Sequence, residues 1–273
     1  MAESAGQQTQ DAVRTHRDGD AVVIELQRDL MEITTDLASK DRLFAALHQA
    51  ERNAEARIVL LAGDERTLGA AGYARFVERL FDAAGAAAAS AARSDMDREQ
   101  LLSREEYGLC QFIGRIARCP KITVAALAGE LAAPYLGMAL AFDYRLVAAT
   151  TVFQLSCAGT PVPPGCGLGF FLPRYVGHGR AMELVLRGRP LVAAEAEALG
   201  LVNAVLPADD FVRRCRAHVA QALQIPPEIV GATKSMLLPF ADEELPRYLE
   251  RECEVVRSAW RRHEVQAHSA PHS

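Results

Sequence analysis

One stretch of this sequence concentrates the residue types that polarise carbonyl groups. Cys119-Pro120 leads into the apolar run Lys121 to Leu127, Ala128-Gly129-Glu130 breaks it, and Leu131-Ala132-Ala133-Pro134-Tyr135-Leu136-Gly137 opens a second apolar run that reaches Phe142. The pattern predicts strand, tight turn and buried helix. A turn that brings backbone amides to the start of a helix is an anion site, because the leading N–H groups have no intrahelical acceptor and the helix dipole adds partial positive charge. Carbonyl chemistry uses such a site to hold an oxyanion. Glu130 is a carboxylate that either enters a pocket there or is a solvated turn residue. Six cysteines (110, 119, 157, 166, 215 and 253) show neither a C-x-x-C pair nor metal-ligand spacing. The sequence therefore predicts free thiols in a reducing compartment and no metal site.

The surrounding elements set the frame. Ala21 to Gln27 and Arg57 to Ala62 read as strands. Leu43, Leu47 and Ala50 mark one face of a helix running from Ser39 to about Glu51. Further strands are predicted at Tyr144–Ala148 and Leu201–Leu206, which gives an alternation of strand and helix and an α/β architecture. Ala83 to Ala92 reads as a plain helix or as a mobile flap over a ligand site. A helix over Met96 to Ala117 follows it. Past Pro207 three helices come in a row: from Asp209 to Leu223, from Glu228 to Leu238, and from Asp242 to about Arg262. Their apolar faces pack either on the core or on another copy of the chain.

Length and composition limit the classes open to it. The chain has 273 residues, half of them apolar and 24% charged, enough for one large core. A net charge of -5 argues against nucleic acid as a partner. No apolar run approaches the roughly 18 residues that span a bilayer. The polar N-terminus shows no secretion signal, so a cytoplasmic location is expected.

The order of these elements, together with several motifs, resembles the crotonase superfamily (enoyl-CoA hydratase/isomerase) from about Ala21 to Trp260. The motifs are Pro120 to Gly129, Asp143-Tyr144-Arg145-Leu146-Val147-Ala148, Phe153, Pro164-Gly165, Leu172 to Leu184, and Leu191 to Val202. The resemblance implies a spiral of ββα units with a C-terminal helical region. Residues 1–17 are expected to be disordered, 18–206 to form the spiral core, 207–262 to form helices for oligomerisation, and 263–273 to be a disordered tail. It also implies a homotrimer or hexamer that binds an acyl-CoA or carrier-linked acyl thioester. CoA would enter only as part of the substrate, with no separate cofactor.

Two backbone amides grip the thioester oxygen in that family. Carried over, the first is the N–H of Gly72 in Leu68-Gly69-Ala70-Ala71-Gly72-Tyr73, where Tyr73 replaces the usual acidic residue. The second falls on Pro134, which has no N–H, so Tyr135 must substitute with its own N–H or its hydroxyl. Removing one such donor costs about 10²- to 10³-fold in rate. The two glutamates of hydratases fall on Gly137 and Cys157, and the aspartate of related isomerases and dehalogenases falls on Pro163 to Gly165. An ordinary two-glutamate hydratase is therefore not expected.

The turn around Pro134 and the loop opening Phe153-Gln154-Leu155-Ser156 resemble atypical crotonases of polyketide and peptide-antibiotic pathways. These include the auxiliary crotonase of dihydroxyphenylacetyl-CoA synthesis and the dehydratases of β-branching. The residues expected to carry chemistry are Gly72, Tyr135, Cys157 and Glu130. Cys157 is either a base or nucleophile, or a small buried filler. Tyr73, Pro134, Ser156 and Lys234 are expected to line the substrate, with Lys234 meeting CoA phosphates or sitting on a solvated helix face. Cys166 and His178 read as packing and surface residues, and Arg145 as a partner of Asp143 or of the preceding strand. Three functions follow from the resemblance: an enzyme using non-glutamate groups, an auxiliary protein assisting a partner synthase, or a structural subunit.

Overall fold

The computed structural model describes residues 12–88, 108–155, 163–223 and 226–269. Its main sheet runs in the order β1 (Val13–Asp18), β2 (Ala21–Leu26), β3 (Ile58–Gly63), β4 (Ile122–Leu127), β6 (Tyr144–Ala148) and β9 (Ala204–Leu206). Within this sheet, among the described residues, the β1–β2 pair is antiparallel and the others are parallel. A small second sheet joins β5 (Glu130–Ala132), β7 (Val152–Gln154) and β8 (Leu191–Val192). Each strand of the small sheet precedes a helix: α6 (Ala133–Ala139) after β5, α7 (Leu168–Val176) after β7, and α9 (Ala193–Ala198) after β8. The repeat of long strand, short strand and helix is the ββα spiral that the family resemblance implies.

The parallel strands are mostly apolar, with Glu25, Thr123 and Arg145 among the exceptions, because both faces are covered. Val22, Ile24, Val59, Leu61, Ala125 and Leu127 face one core. Ala21, Val23, Ile58, Leu60, Val124 and Ala126 face the other, where α10 (Phe211–Ala222) contributes Cys215 and Val219 and α11 (Pro227–Leu237) contributes Val230. The first two C-terminal helices thus close the second face of the sheet. Burying a Leu60 or Ile58 side chain in this way contributes about 1.5–3 kcal/mol.

Local chemistry fixes the remaining elements. Asp29 caps α1 (Leu30–Thr35) through Met31 N–H, and Asp36 caps α2 (Leu37–Arg52) through Ser39 N–H. Asp64 and Thr67 form a capping box at α3 (Glu65–Leu68), and Gly69 then joins it to α4 (Ala70–Ala88). Residues 108–117 form α5, α8 covers His178–Arg187, and α12 covers Glu244–Ser269.

Several expectations change. Residues 13–17 are ordered as an edge strand, because each pairs with β2 from Arg17↔Val22 to Val13↔Leu26. The region taken for a disordered tail continues as α12 to Ser269. Ala83 to Ala88 belong to α4, while the rest of that alanine run lies outside the described residues. Arg145 does not pair with Asp143. Its buried guanidinium donates to the Leu201 and Phe142 carbonyls at 2.7 and 2.6 Å and lies over the Tyr175 ring.

Asp143 instead accepts from Thr123 N–H at 2.7 Å, Thr123 Oγ1 at 2.9 Å and Lys234 Nζ at 2.7 Å. This buried network pins α11 to β4. Removing one partner of such a pair strands the other charge, so Lys234→Met should lower stability by about 3–5 kcal/mol. Urea denaturation should show this as a lower midpoint at unchanged slope.

Candidate functional site

The site is built where β3 and β4 end side by side. Gly63 and Leu127 are register partners, and Ala128 N–H donates to the Gly63 carbonyl at 3.1 Å. From these two strand ends the chain leaves through α3 into α4 and through β5 into α6. An antiparallel bridge between Gly69 and Leu131 ties the two exits together. Gly129 makes the turn possible, with φ at +88° in the region that suits glycine. The result brings the first turns of α4 and α6 together. Gly72 and Tyr135 each stand third in their helix, among the positions whose N–H groups have no intrahelical acceptor.

A carboxyl group spans this junction. A Cβ built on Gly72 would lie 2.6 Å from Asp29 Oδ2. The Tyr135 hydroxyl, wholly buried, donates to the Asp29 oxygens at 3.1 and 3.3 Å. Burial raises the pKa of Asp29, against the lowering effects of Met31 N–H and the Tyr135 hydroxyl. Burial, then the Asp29 charge, pushes the Tyr135 phenol well above its ordinary range. The Tyr73 ring stands edge-on to the Tyr135 ring, with centroids 6.3 Å apart.

The sequence-predicted residues divide accordingly. Gly72, Tyr73, Pro134 and Tyr135 come together. The Tyr135 hydroxyl is taken up by Asp29, so only its N–H remains to grip an external oxygen. Pro134 stands second in α6, where a missing N–H does no harm to the helix. Glu130 opens β5 with its side chain exposed. Lys234 is held in the Asp143 network described above rather than free to meet a phosphate. Ser156 and Cys157 lie outside the described residues.

Sequence reasoning missed Asp29, whose only signal was its place before an apolar run, where it reads as a helix cap. It also missed the reason for Gly137. A Cβ there would lie 2.7 Å from both the Cys166 carbonyl oxygen and the Leu168 nitrogen. Backbone from the segment before α7 occupies the space that a side chain at 137 would need.

The description enoyl-CoA hydratase/isomerase belongs to the family model that matches residues 18–271. The chain is a member of this family. A probable enoyl-CoA hydratase of Rhodobacter capsulatus is 30% identical over 249 residues, which are 90% of each chain. A 4-chlorobenzoyl coenzyme A dehalogenase of Arthrobacter is 33% identical over 144 residues, 53% of this chain and 52% of that one. The solved enoyl-CoA hydratase of Bacillus halodurans superposes with a TM-score of 0.74 over 94% of this chain and 98% of its own, at 24% identity. That likeness establishes the fold.

Within this family member, position 137 tolerates no side chain. Gly137→Ala should destabilise by about 1–3 kcal/mol, the usual range for overpacking, measured by chemical denaturation. Tyr135→Phe should cost about 1 kcal/mol for the lost hydrogen bond to Asp29. It should leave the fold intact by circular dichroism.

Proposed function

We propose that this chain binds an acyl thioester of CoA or of a carrier protein. Its carbonyl oxygen would lie between the N–H groups of Gly72 and Tyr135, where the charge of an enolate can be stabilised. The observation that carries this reading is the bridging of the two strand exits by Gly69 and Leu131. It puts two helix first turns at one place, as polarised carbonyl chemistry requires. Family membership and the names of its relatives, a hydratase and a CoA-ester dehalogenase, support the substrate class.

The reaction would use groups other than the two glutamates of a hydratase, and the resemblance around Pro134 and Phe153 favours a role in a biosynthetic pathway of polyketide type. Dehydration, isomerisation and decarboxylation all pass through the same enolate-like charge. The protein would act as a homotrimer or hexamer. Support for self-association comes from Leu186, Met236 and Leu237, apolar side chains more than 70% exposed on α8 and α11.

A second reading has one observation in its favour. Pro134 lacks an N–H and position 137 is closed, so a protein that holds the thioester and assists a partner synthase would keep the junction without the chemistry.

Acetyl-CoA and butyryl-CoA at saturating concentration should raise the melting midpoint, because they bind only the native state. At a hundred times the dissociation constant the stabilisation is about 2.7 kcal/mol. No shift with any CoA thioester would remove both readings. Crotonyl-CoA should be hydrated far below ordinary hydratase rates. Sedimentation should give three or six copies.

A further inference from the structure

Two cysteines meet where α12 crosses α5. Cys110 Sγ and Cys253 Sγ are 3.5 Å apart, although 143 residues separate them in the chain. Each stands in a stripe at helical spacing: Cys110, Gly114 and Arg118 on one side, Leu249, Cys253 and Arg257 on the other. Both stripes line one cavity of about 380 Å³. Cys110 is half-buried and Cys253 buried, so the pair sits inside the protein yet borders space that a small solute can enter.

We propose that Cys110 and Cys253 form an oxidation site, a dithiol that hydrogen peroxide converts into a disulfide fastening α12 to α5. A disulfide holds its sulfurs about 2 Å apart, so the pair has about 1.5 Å to close, which turning the two side chains supplies. In the step one sulfur, as its thiolate, attacks a peroxide oxygen. The O–O bond breaks, a sulfenic acid forms, and the departing oxygen takes up the thiol proton and leaves as water. The second sulfur then displaces the sulfenic hydroxyl, which leaves as water with that thiol's proton, and the S–S bond closes. Two thiols are oxidised by two electrons, and one peroxide is reduced to two waters.

The surroundings single out this pair. The Cys253 sulfur, then burial, raises the pKa of Cys110. Cys110 therefore keeps its proton, and the Cys253 sulfur makes the first attack. Burial also raises the Cys119 and Cys215 thiols, Cys215 to about 12, and neither borders this cavity. Cys166 is near enough for its charge to act on Cys110, which makes it the competing partner. Cys253 follows Glu252, whose carboxylate accepts from Gly167 N–H at 3.0 and 3.2 Å. The bond thus fastens α12 where it holds the segment packed against Gly137. A cross-link between distant parts of the chain stabilises mainly by restricting the unfolded state. In a reducing compartment such a bond is transient and senses oxidant. It needs no thioester at Gly72 and Tyr135, so it stands apart from the reading above.

The test exposes the reduced, full-length protein to hydrogen peroxide, blocks remaining thiols with N-ethylmaleimide, and maps the peptides by mass spectrometry. The peptides of Cys110 and Cys253 should be found joined, two hydrogens lighter than the separate thiols, and dithiothreitol should part them. On a non-reducing gel the oxidised protein should run as a single chain. Its melting midpoint should rise by about 5–10 °C over the reduced form, and Cys253→Ser should show no rise. Cys110 joined to Cys166 or to any other cysteine overturns the assignment. So does a link between two chains, or maleimide on both Cys110 and Cys253 after exposure. A joined pair whose midpoint does not rise overturns the fastening of α12. Should Cys253→Ser fail to fold, the wild-type peptide map and the two wild-type midpoints decide.

Discussion

The pairing of β3 with β4 at their carboxyl ends is the constraint on which the rest of this molecule depends. In-register parallel strands must finish side by side, and whatever leaves them starts from adjacent points. The Gly63–Leu127 register, the Ala128-to-Gly63 hydrogen bond and the Gly69–Leu131 bridge turn that rule into a fixed separation between two helix starts. Because the strands are buried on both faces, a register slip would displace whole rows of core side chains. The positions of Gly72 and Tyr135 are thus set by the hydrophobic core.

Around that fixed backbone the side chains have been rearranged. Tyrosine at 135 sends its ring into the core, where its hydroxyl meets Asp29, and glycine at 137 lets the segment before α7 close against α6. Both changes apply to side chains and leave the α6 first turn in place. The amides are properties of the fold, whereas acids and bases are local and replaceable. A chain can therefore keep the junction while the side chains around it change.

Much of the architecture was legible in the sequence because buried parallel strands declare themselves as apolar runs ended by Gly or Asp. Ile58–Gly63, Ile122–Leu127 and Tyr144–Ala148 all stand within a residue or so of where the pattern predicts them. The three-residue and two-residue strands of the small sheet were not legible, since Val152–Gln154 and Leu191–Val192 are too short for alternation to register. β1 was missed because five of its six residues are polar or charged and solvent lies on its outer edge. In the site, Gly72 and Tyr135 could be placed from the motif, but neither Asp29 nor the Glu252 contact that holds the segment behind Gly137 could be. Their proximity depends on long-range packing, across 106 residues for Asp29 and Tyr135 and 85 for Gly167 and Glu252, and no local spacing encodes it.

The closed space beside Gly137 also bears on how such a protein can change. A glutamate codon at 137 would meet backbone on two sides, so it would be damaging until the segment from Cys166 to Leu168 had shifted. Shifting that segment first would take the Gly167 amide away from Glu252 and leave that buried carboxyl short of a donor. Each intermediate is worse than either end, which makes the two arrangements separate peaks that single substitutions do not connect.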